Sequence, residues 1–441
     1  MGSQQQKPLT LRRNFSWTFV GNAIYSACQW GMLVVLAKLG SPEVVGQFTL
    51  GLAITAPVLM FTNLQLRAVQ ATDAKHQYTF GDYLGLRLLA TGVALAIIVA
   101  IIFFANYRWE TSAVILVIGL AKVVESISDV FYGLIQQHER MDRIAISLII
   151  KGPLSLLFLG FGVYITGGIL FGVVGLAFAW VVVLIAYDVR SGALILKEKV
   201  LTRQVEVDKK TVIEKIKLQP RWDMKMLGQL VWLSLPLGIV MMLISLNTNI
   251  PRYFIEQYLG ERDLGIFAAI SYLIVAGRML VSSLGESASP KLAKYYSIGD
   301  SSAFRTLIFK LLGIGILLGG TCILVALFAG REILIILYRP EYAKQVDLFV
   351  LLMVVAGVNY LSSFLGYAMT AARYFRIQIP LFILVTAISA IASFWLIPTN
   401  GLRGAAIALL FAAIAEAGLT LTVILHALHK LKNTQIGDKK L

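Results

Sequence analysis

The sequence predicts an all-α, polytopic membrane protein. Of its 441 residues, 58% are hydrophobic and only 14% are charged, whereas soluble domains carry about 25% charged residues. Apolar runs of about 20 residues, the length that crosses about 30 Å of hydrocarbon, recur along most of the chain. Each run must be a helix, because lipid offers no partner for backbone N–H and C=O groups, and the runs are too long and too uniform for barrel strands.

Twelve transmembrane helices are predicted from the positions of these runs. They cover approximately residues 15–39, 46–66, 82–105, 111–136, 143–165, 168–189, 227–250, 263–287, 306–329, 346–371, 376–398 and 403–427. The first is too long for a cleaved signal peptide, so we interpret it as a retained helix. With the N-terminus in the cytoplasm, most Lys and Arg residues fall in cytoplasmic loops, and both termini lie on that side. This topology leaves Lys122 and Arg278 as the only basic residues deep in spans.

A polar stretch divides the spans into two sets of six. We therefore predict an N-terminal six-helix lobe over residues 1–190, a cytoplasmic linker over 191–226 and a C-terminal six-helix lobe over 227–441. Short sequences recur in both halves, as in Gly46-Gln47-Phe48 and Gly265-Ile266-Phe267. An even repeat keeps both halves in one orientation and favours a substrate site in the cleft between them. The linker's basic residues indicate a segment on anionic headgroups, with a partner site as the alternative, and they include Lys209, Lys210, Lys215 and Lys217.

Several classes of chemistry are excluded by what the sequence lacks. Cys28 and Cys322 both fall in apolar segments, and the four His residues lie in loops or at the chain end, so neither a disulfide framework nor a metal site is indicated. No GxxxxGK[ST] motif is present, so no nucleotide cofactor is expected. The net charge of +15 would suggest nucleic acid in a soluble protein, but here it encodes membrane orientation.

Three segments resemble those of a known transporter family. They are Asn14-Phe15-Ser16-Trp17, the loop from Lys38 to Phe48, and the run from Glu125 to Arg140. On these segments the chain resembles the polysaccharide transporters of the multidrug/oligosaccharidyl-lipid/polysaccharide exporter superfamily, particularly the Wzx-type flippases of O-antigen and capsule repeat units.

The resemblance implies a fold, an activity and a location. The expected fold has two six-helix lobes around a central cavity. The expected activity is movement of an undecaprenyl-diphosphate-linked oligosaccharide from the cytoplasmic to the external leaflet of a bacterial inner membrane by alternating access. The implied partners are the bilayer, the lipid-linked glycan and polysaccharide assembly proteins, and the implied state is a monomer without cofactors.

Charged residues at membrane depth are the first candidates for a transport site, since a bare charge there costs about 2.5–3.5 kcal/mol. Lys122, Glu125 and Asp129 share one helical face by their i, i+3, i+7 spacing. Lys122 and Arg278 are expected to attract the diphosphate. Glu125 or Glu416 is expected to take up a proton or couple a cation gradient, and Asp129 is a further coupling or gating candidate. The alternative is that these charges form structural pairs, Lys122 with Glu125 and Arg278 with Glu416 or Glu286.

Basic residues near the span ends suggest gating and recruitment. Arg67 and Glu286 occupy corresponding positions in the repeat and could form a latch between the lobes, although Arg67 could equally snorkel to headgroups. Four arginines flank the predicted cytoplasmic mouth, where they would gather anionic lipid carriers or serve only as positive-inside anchors. They are Arg140, Arg143, Arg373 and Arg376.

Polar stripes on two predicted spans are candidates for contacts with sugar hydroxyls. Span one carries Asn22, Tyr25 and Gln29, and span seven carries Asn247 and Asn249. Hydrogen bonding to neighbouring helices is the alternative for each of them.

Two other functions compete with the flippase. A cation-coupled multidrug exporter of the same superfamily would need an apolar, aromatic cavity, whereas Lys122 and Arg278 favour an anionic cargo. A membrane-embedded polysaccharide polymerase or glycosyltransferase would need a sizeable external loop or soluble domain. The longest external loop, roughly residues 330–345, is too short for one. We therefore predict a transporter and not an enzyme.

Overall fold

The computed structural model describes residues 11–73, 77–203 and 218–438, and within these ranges it contains helices and turns but no strand. The first eight helices are α1 (Leu11–Leu39), α2 (Pro42–Thr62), α3 (Leu66–Thr72), α4 (Phe80–Ala105), α5 (Trp109–Gln137), α6 (Met141–Thr166), α7 (Ile169–Val183) and α8 (Val189–Arg203). The others are α9 (Met224–Leu259), α10 (Glu261–Tyr272), α11 (Ile274–Ser297), α12 (Ser301–Leu337), α13 (Val346–Ala371) and α14 (Gln378–Asp438). A π turn, Leu184–Asp188, joins α7 to α8, and a 3₁₀ turn, Tyr342–Gln345, precedes α13.

The prediction of an all-α, polytopic membrane protein is confirmed. Among the described residues, nine helices are long and apolar enough to cross a membrane, or ten if the pair Glu261–Tyr272 and Gly277–Ser297, bent by 46°, forms one span. The range given for α14 contains two helices that meet at a kink at Gly401, where φ is 58° and ψ is −138°. The count of twelve spans stays a prediction.

Packing divides the chain into two compact units, one up to Met242 and one from Leu243. The boundary falls within α9. The predicted lobes, 1–190 and 227–441, and the linker between them stay predictions. The centre of that linker, residues 204–217, lies outside the described residues together with its basic cluster.

Helix α5 has the most neighbours in the first unit. It packs against α2, α3, α4, α6, α7 and α8. Small residues allow close approach elsewhere in the unit, as where Gly21 of α1 lies against Ala145 of α6. On several sides of α5, a polar side chain therefore contacts neighbouring helices and not lipid.

A short interruption of helical backbone separates α2 from α3. Leu64 and Gln65 both have φ of 51°, a left-handed conformation that is uncommon for residues other than glycine. Packing holds the break in place, because Leu64 is buried with Leu227 and Leu230 of α9. A Cβ at Gly238 would lie 2.7 Å from the carbonyl oxygen of Phe61. Residues 42–72 nevertheless count as one candidate span, and α3 packs against α5.

The second unit is built mainly from α11, α12, α13 and α14, which pack on one another. Its core includes Leu292, Phe304, Tyr360 and Phe364. A proline in α9 adds a polar contact to α14: Pro251 has no N–H to donate to the carbonyl of Asn247, four residues earlier. That carbonyl instead accepts a hydrogen bond from the Ser389 hydroxyl at 3.4 Å.

Candidate functional site

The structure places Lys122, Glu125 and Asp129 along one face of α5, with side chains that are 28%, 30% and 30% exposed. The Lys122 Nζ lies 2.8 Å from Glu125 Oε2. The Tyr25 hydroxyl of α1 donates to the other oxygen of Glu125 at 2.7 Å, and Gln29 lies within hydrogen-bonding reach of Tyr25. Lys122 and Glu125 thus form the ion pair that one interpretation of the sequence expected.

Lys122 also contacts an aromatic ring. Its Nζ lies 5.0 Å from the centroid of the Trp180 ring, a cation–π contact worth about 0.5–2 kcal/mol. The indole N–H of Trp180 donates to the Ser155 hydroxyl at 2.7 Å, and that hydroxyl donates to the Lys151 carbonyl at 2.5 Å. The ring that contacts Lys122 is therefore fixed by a buried hydrogen bond.

Two arginines share the carboxylate of Asp129. Arg67 Nη1, from α3, and Arg87 Nη2, from α4, each lie 3.5 Å from one of its oxygens. Arg67 Nε donates to Gln136 Oε1 at 3.0 Å, and Arg87 donates to Asn63 Oδ1 in the break after α2. The latch between Arg67 and Glu286 stays a prediction, while Arg67 has its own partners inside the first unit.

A buried ion pair lies next to this face of α5. Lys151 of α6 and Asp188 of the π turn are 1% and 0% exposed, with Nζ and Oδ2 3.7 Å apart. Lys151 donates to Tyr132 Oη at 3.0 Å and Ser128 Oγ at 3.2 Å. Ser147 Oγ donates to Asp188 Oδ1 at 2.6 Å and lies 2.7 Å from Tyr132 Oη. Neighbouring hydroxyl groups therefore surround both charges.

Lys122 and Arg278 are the only basic residues singled out from the sequence as lying deep in spans, and two further buried cations were not considered. Arg87 and Lys151 are almost fully buried inside α4 and α6. Lys151 interrupts a long apolar run and could have been recognised there. Arg87 and Asp188 lie nearer the ends of their predicted spans, and nothing in the sequence indicates the π turn that carries Asp188. Such turns are often found at functional sites.

In the second unit, the predicted residues are less closely connected. Glu416 accepts a hydrogen bond from the Ser362 hydroxyl at 3.1 Å and is near enough to Arg278 to interact electrostatically. The side chains of Arg278 and Glu286 are exposed. Among the described residues, neither makes a side-chain hydrogen bond or an ion pair.

The two asparagines of α9 differ. Asn249 is buried, donates to the Ser245 carbonyl at 2.8 Å and accepts from Arg252 at 3.0 Å. The side-chain oxygen of Asn247 is buried and has no hydrogen-bond partner in the described part of the chain. On α1, Asn22 is exposed. Asn22 is therefore open to a polar ligand, whereas the polar atoms of Asn249 already have partners within α9.

Four arginines predicted at the cytoplasmic mouth have different surroundings. Arg140 pairs with Asp142 through two contacts, at 3.0 and 2.9 Å. Arg143 is half-buried, while Arg373 and Arg376 are exposed. Where the structure describes the chain, no group of three His, Cys, Asp or Glu side chains could hold a metal ion.

The fold is shared with solved membrane transporters. A multidrug resistance MATE family transporter of the MOP superfamily, inward-facing, matches it with a TM-score of 0.71 at 12% sequence identity, over 95% of this chain and 99% of that one. The lipid II flippase MurJ, in an inward closed conformation, matches with a TM-score of 0.69 at 12% identity, over 94% of this chain and 89% of that one. At such low identity these matches show the fold alone.

The family follows from the sequence comparison: residues 11–296 match the polysaccharide biosynthesis protein family, and the chain belongs to it. The capsular polysaccharide biosynthesis protein CapF of Staphylococcus aureus is 29% identical over 404 residues, which cover 90% of this chain and 94% of CapF. The resemblance to polysaccharide transporters is confirmed. Classification as a transporter rather than an enzyme agrees with the transporter and flippase structures that share the fold.

Proposed function

We propose that the protein moves an undecaprenyl-diphosphate-linked oligosaccharide, a precursor of a surface polysaccharide, from the cytoplasmic to the external leaflet by alternating access. Family membership supports this proposal, as do the capsule-related name of CapF and the similarity in fold to a lipid II flippase. The proposed setting is a bacterial inner membrane, with both chain termini in the cytoplasm and the protein acting as a monomer.

The observation that carries the proposal is a surplus of one cation in the cluster of ion pairs on one face of α5 and beside it. Four cations, Lys122, Arg67, Arg87 and Lys151, stand against three carboxylates, Glu125, Asp129 and Asp188. Ionisable groups at membrane depth commonly mark substrate or ion pathways because each is costly to keep there. A surplus of cations favours a cargo with negative charge, such as a diphosphate.

The proposed roles of the site residues follow from their chemistry. Lys122 and Arg278 bind the diphosphate, since both are cations and Arg278 is exposed without an ion pair among the described residues. Glu125, Asp129 and Glu416 couple transport to a proton or cation. The remaining proposed contacts are Asn22, Tyr25, Gln29, Asn247 and Asn249 to the glycan, Arg67 and Glu286 in gating, and Arg140, Arg143, Arg373 and Arg376 in recruiting the lipid carrier.

The test is flipping of a fluorescent undecaprenyl-diphosphate oligosaccharide in proteoliposomes, with and without an imposed proton or sodium gradient. Lys122→Ala and Arg278→Ala are expected to slow flipping by at least about tenfold, which corresponds to about 1.4 kcal/mol. Arg108→Ala is the matched control, because Arg108 adjoins α5 but is 74% exposed and, among the described residues, pairs only with the neighbouring Glu110. Native rates in both site variants would remove these residues from substrate binding.

A cation-coupled drug exporter is the second candidate, favoured by the TM-score of 0.71 to a multidrug transporter. The same proteoliposomes separate the two functions when they are loaded with a cationic dye. Gradient-driven dye movement without oligosaccharide flipping would establish the exporter. Flipping without dye movement would establish the flippase.

A further inference from the structure

Asp129 is shared by two arginines, and neither of them contacts it closely. Both of its arginine contacts are 3.5 Å long, whereas charge-assisted hydrogen bonds are normally about 2.7–2.9 Å. Two ion pairs of the first unit reach that length, Lys122 with Glu125 at 2.8 Å and Arg140 with Asp142 at 2.9 Å, whereas Lys151 and Asp188 lie 3.7 Å apart. Two cations thus hold one carboxylate, and neither holds it tightly.

The two arginines are not equivalent. Arg87 is 0% exposed, and its second anchor is Asn63. Arg67 is 33% exposed. Arg87 is therefore fixed in the interior, while Arg67 stands at the accessible side of the carboxylate.

Arg67 is also aimed by its surroundings. Its guanidinium lies 5.5 Å from the centroid of the Tyr132 ring, and its Nε donates to Gln136. These contacts orient the head group without neutralising it. Among the described residues, Asp129 is the only carboxylate that pairs with Arg67. Any other anion that Arg67 binds must compete with Asp129.

Arg87 has one N–H group that forms no hydrogen bond with the described residues. Its Nε is buried and has no hydrogen-bond partner in the described part of the molecule. If Arg67 moved away, Arg87 would remain beside Asp129, so the carboxylate would not be left as an uncompensated buried charge. The cluster can therefore release one cation and stay paired.

We infer that, in the absence of substrate, the Asp129 carboxylate contacts Arg67 at the place where a phosphate group of the substrate binds. In the loaded state Arg67 turns from Asp129 to the diphosphate, and Arg87 keeps Asp129 in place. Guanidinium binds phosphate as well as carboxylate, so a phosphate oxygen can replace the one Asp129 oxygen that Arg67 Nη1 contacts. The inference rests on the proposed function, and it makes Arg67 a substrate ligand and Asp129 its internal competitor.

The experiment measures binding rather than transport. Inorganic pyrophosphate and farnesyl diphosphate, a short polyprenyl diphosphate, are titrated calorimetrically into the full-length protein in nanodiscs. Asp129→Asn is expected to tighten binding of both probes about tenfold, because the competing charge is gone. Arg67→Gln is expected to weaken binding about tenfold. The control is Glu110→Gln, which removes a carboxylate from an exposed arginine pair on α5 and is expected to leave binding unchanged.

Native affinity in Asp129→Asn would overturn the inference, as would native affinity in Arg67→Gln or failure of the native protein to bind either probe. If Asp129→Asn does not fold, Arg67→Gln decides alone, because Asp129 keeps Arg87 in that variant. Binding of farnesyl diphosphate but not pyrophosphate would assign the site to the lipid-borne diphosphate, and the reverse would assign it to a free anion.

Flipping assays on the same variants separate this inference from the proposed function. If Asp129→Asn and Arg67→Gln change the affinity for the diphosphate probes as expected but the native protein flips no oligosaccharide, the flippase proposal is overturned and the anion site is kept. Normal flipping together with native binding in both variants would keep the flippase and overturn the exchange at Arg67.

Discussion

Removing the ammonium of Lys151 should destabilise the first unit strongly. Lys151 and Asp188 are 1% and 0% exposed, so neither charge has water to replace its partner. Lys151→Met keeps the length of the side chain and deletes the charge, which leaves the Asp188 carboxylate with the Ser147 hydroxyl but no cation. Breaking one side of a buried ion pair costs about 3–5 kcal/mol.

The size of this effect can be checked against a matched double variant. Asp188→Asn added to Lys151→Met removes the stranded charge, so we expect it to recover part of the loss. Arg108→Ala breaks an exposed pair instead and should cost no more than about 1 kcal/mol.

The measurement is the free energy of unfolding in mixed micelles of mild detergent and increasing SDS, followed by tryptophan fluorescence. Three curves are compared with the native one: Lys151→Met, the double variant and Arg108→Ala. A Lys151→Met protein within about 1 kcal/mol of native would refute the argument, since it would mean that the Asp188 charge is neutralised or solvated in another way. A double variant less stable than Lys151→Met would refute it as well.

Three further substitutions test other contacts. Tyr25→Phe deletes the 2.7 Å hydrogen bond to Glu125, worth about 1.5–3 kcal/mol for a charged acceptor, and should reduce gradient-driven flipping more than flipping without a gradient. If Tyr25→Phe lowered the flipping rate equally with and without a gradient, Glu125 would be excluded from coupling transport to the gradient. Gly133→Ala puts a methyl group of α5 against α3, and such overpacking should cost about 1–3 kcal/mol of unfolding free energy. In Gly92→Ala the new methyl group has no neighbour within 4 Å, so the unfolding free energy should not fall. An equal loss of unfolding free energy in Gly133→Ala and Gly92→Ala would contradict close packing of α5 against α3. Gly401→Ala forces φ of 58° on alanine and should lower the melting temperature, and an unchanged value would show that the break tolerates a side chain.

The fold class could be predicted because it depends on local properties of the sequence. The length of each apolar run sets the length of a helix, and lipid leaves the backbone no other solution. The shared face of Lys122, Glu125 and Asp129 was equally accessible, because helical spacing alone determines it. One partner in that group, Glu125 for Lys122, also follows from spacing within a single helix.

Helical spacing could not predict ion-pair partners that lie on different helices. The pseudo-repeat directed attention from Arg67 to Glu286, whereas the structure provides Asp129 of α5 as its partner in the first unit. Arg87 was overlooked for the same reason, since its contact to Asp129 joins residues 42 positions apart. Such pairs depend on how helices pack, and packing angles and offsets are not written in the periodicity of any one helix.

The π turn before α8 has a consequence for how the chain tolerates insertion and deletion. A π turn is an α-helix with one extra residue, and one residue corresponds to a rotation of about 100° at 3.6 residues per turn. With that residue present, Asp188 meets α6, and Gly192 in the next turn lies so close to Phe131 that a Cβ would be 2.6 Å from its ring. Deleting a single residue from Leu184–Asp188 would restore ordinary helical winding and turn Gly192 away from Phe131 by about a quarter of a circle. One surplus amino acid thus sets the rotational phase between the two ends of this helix.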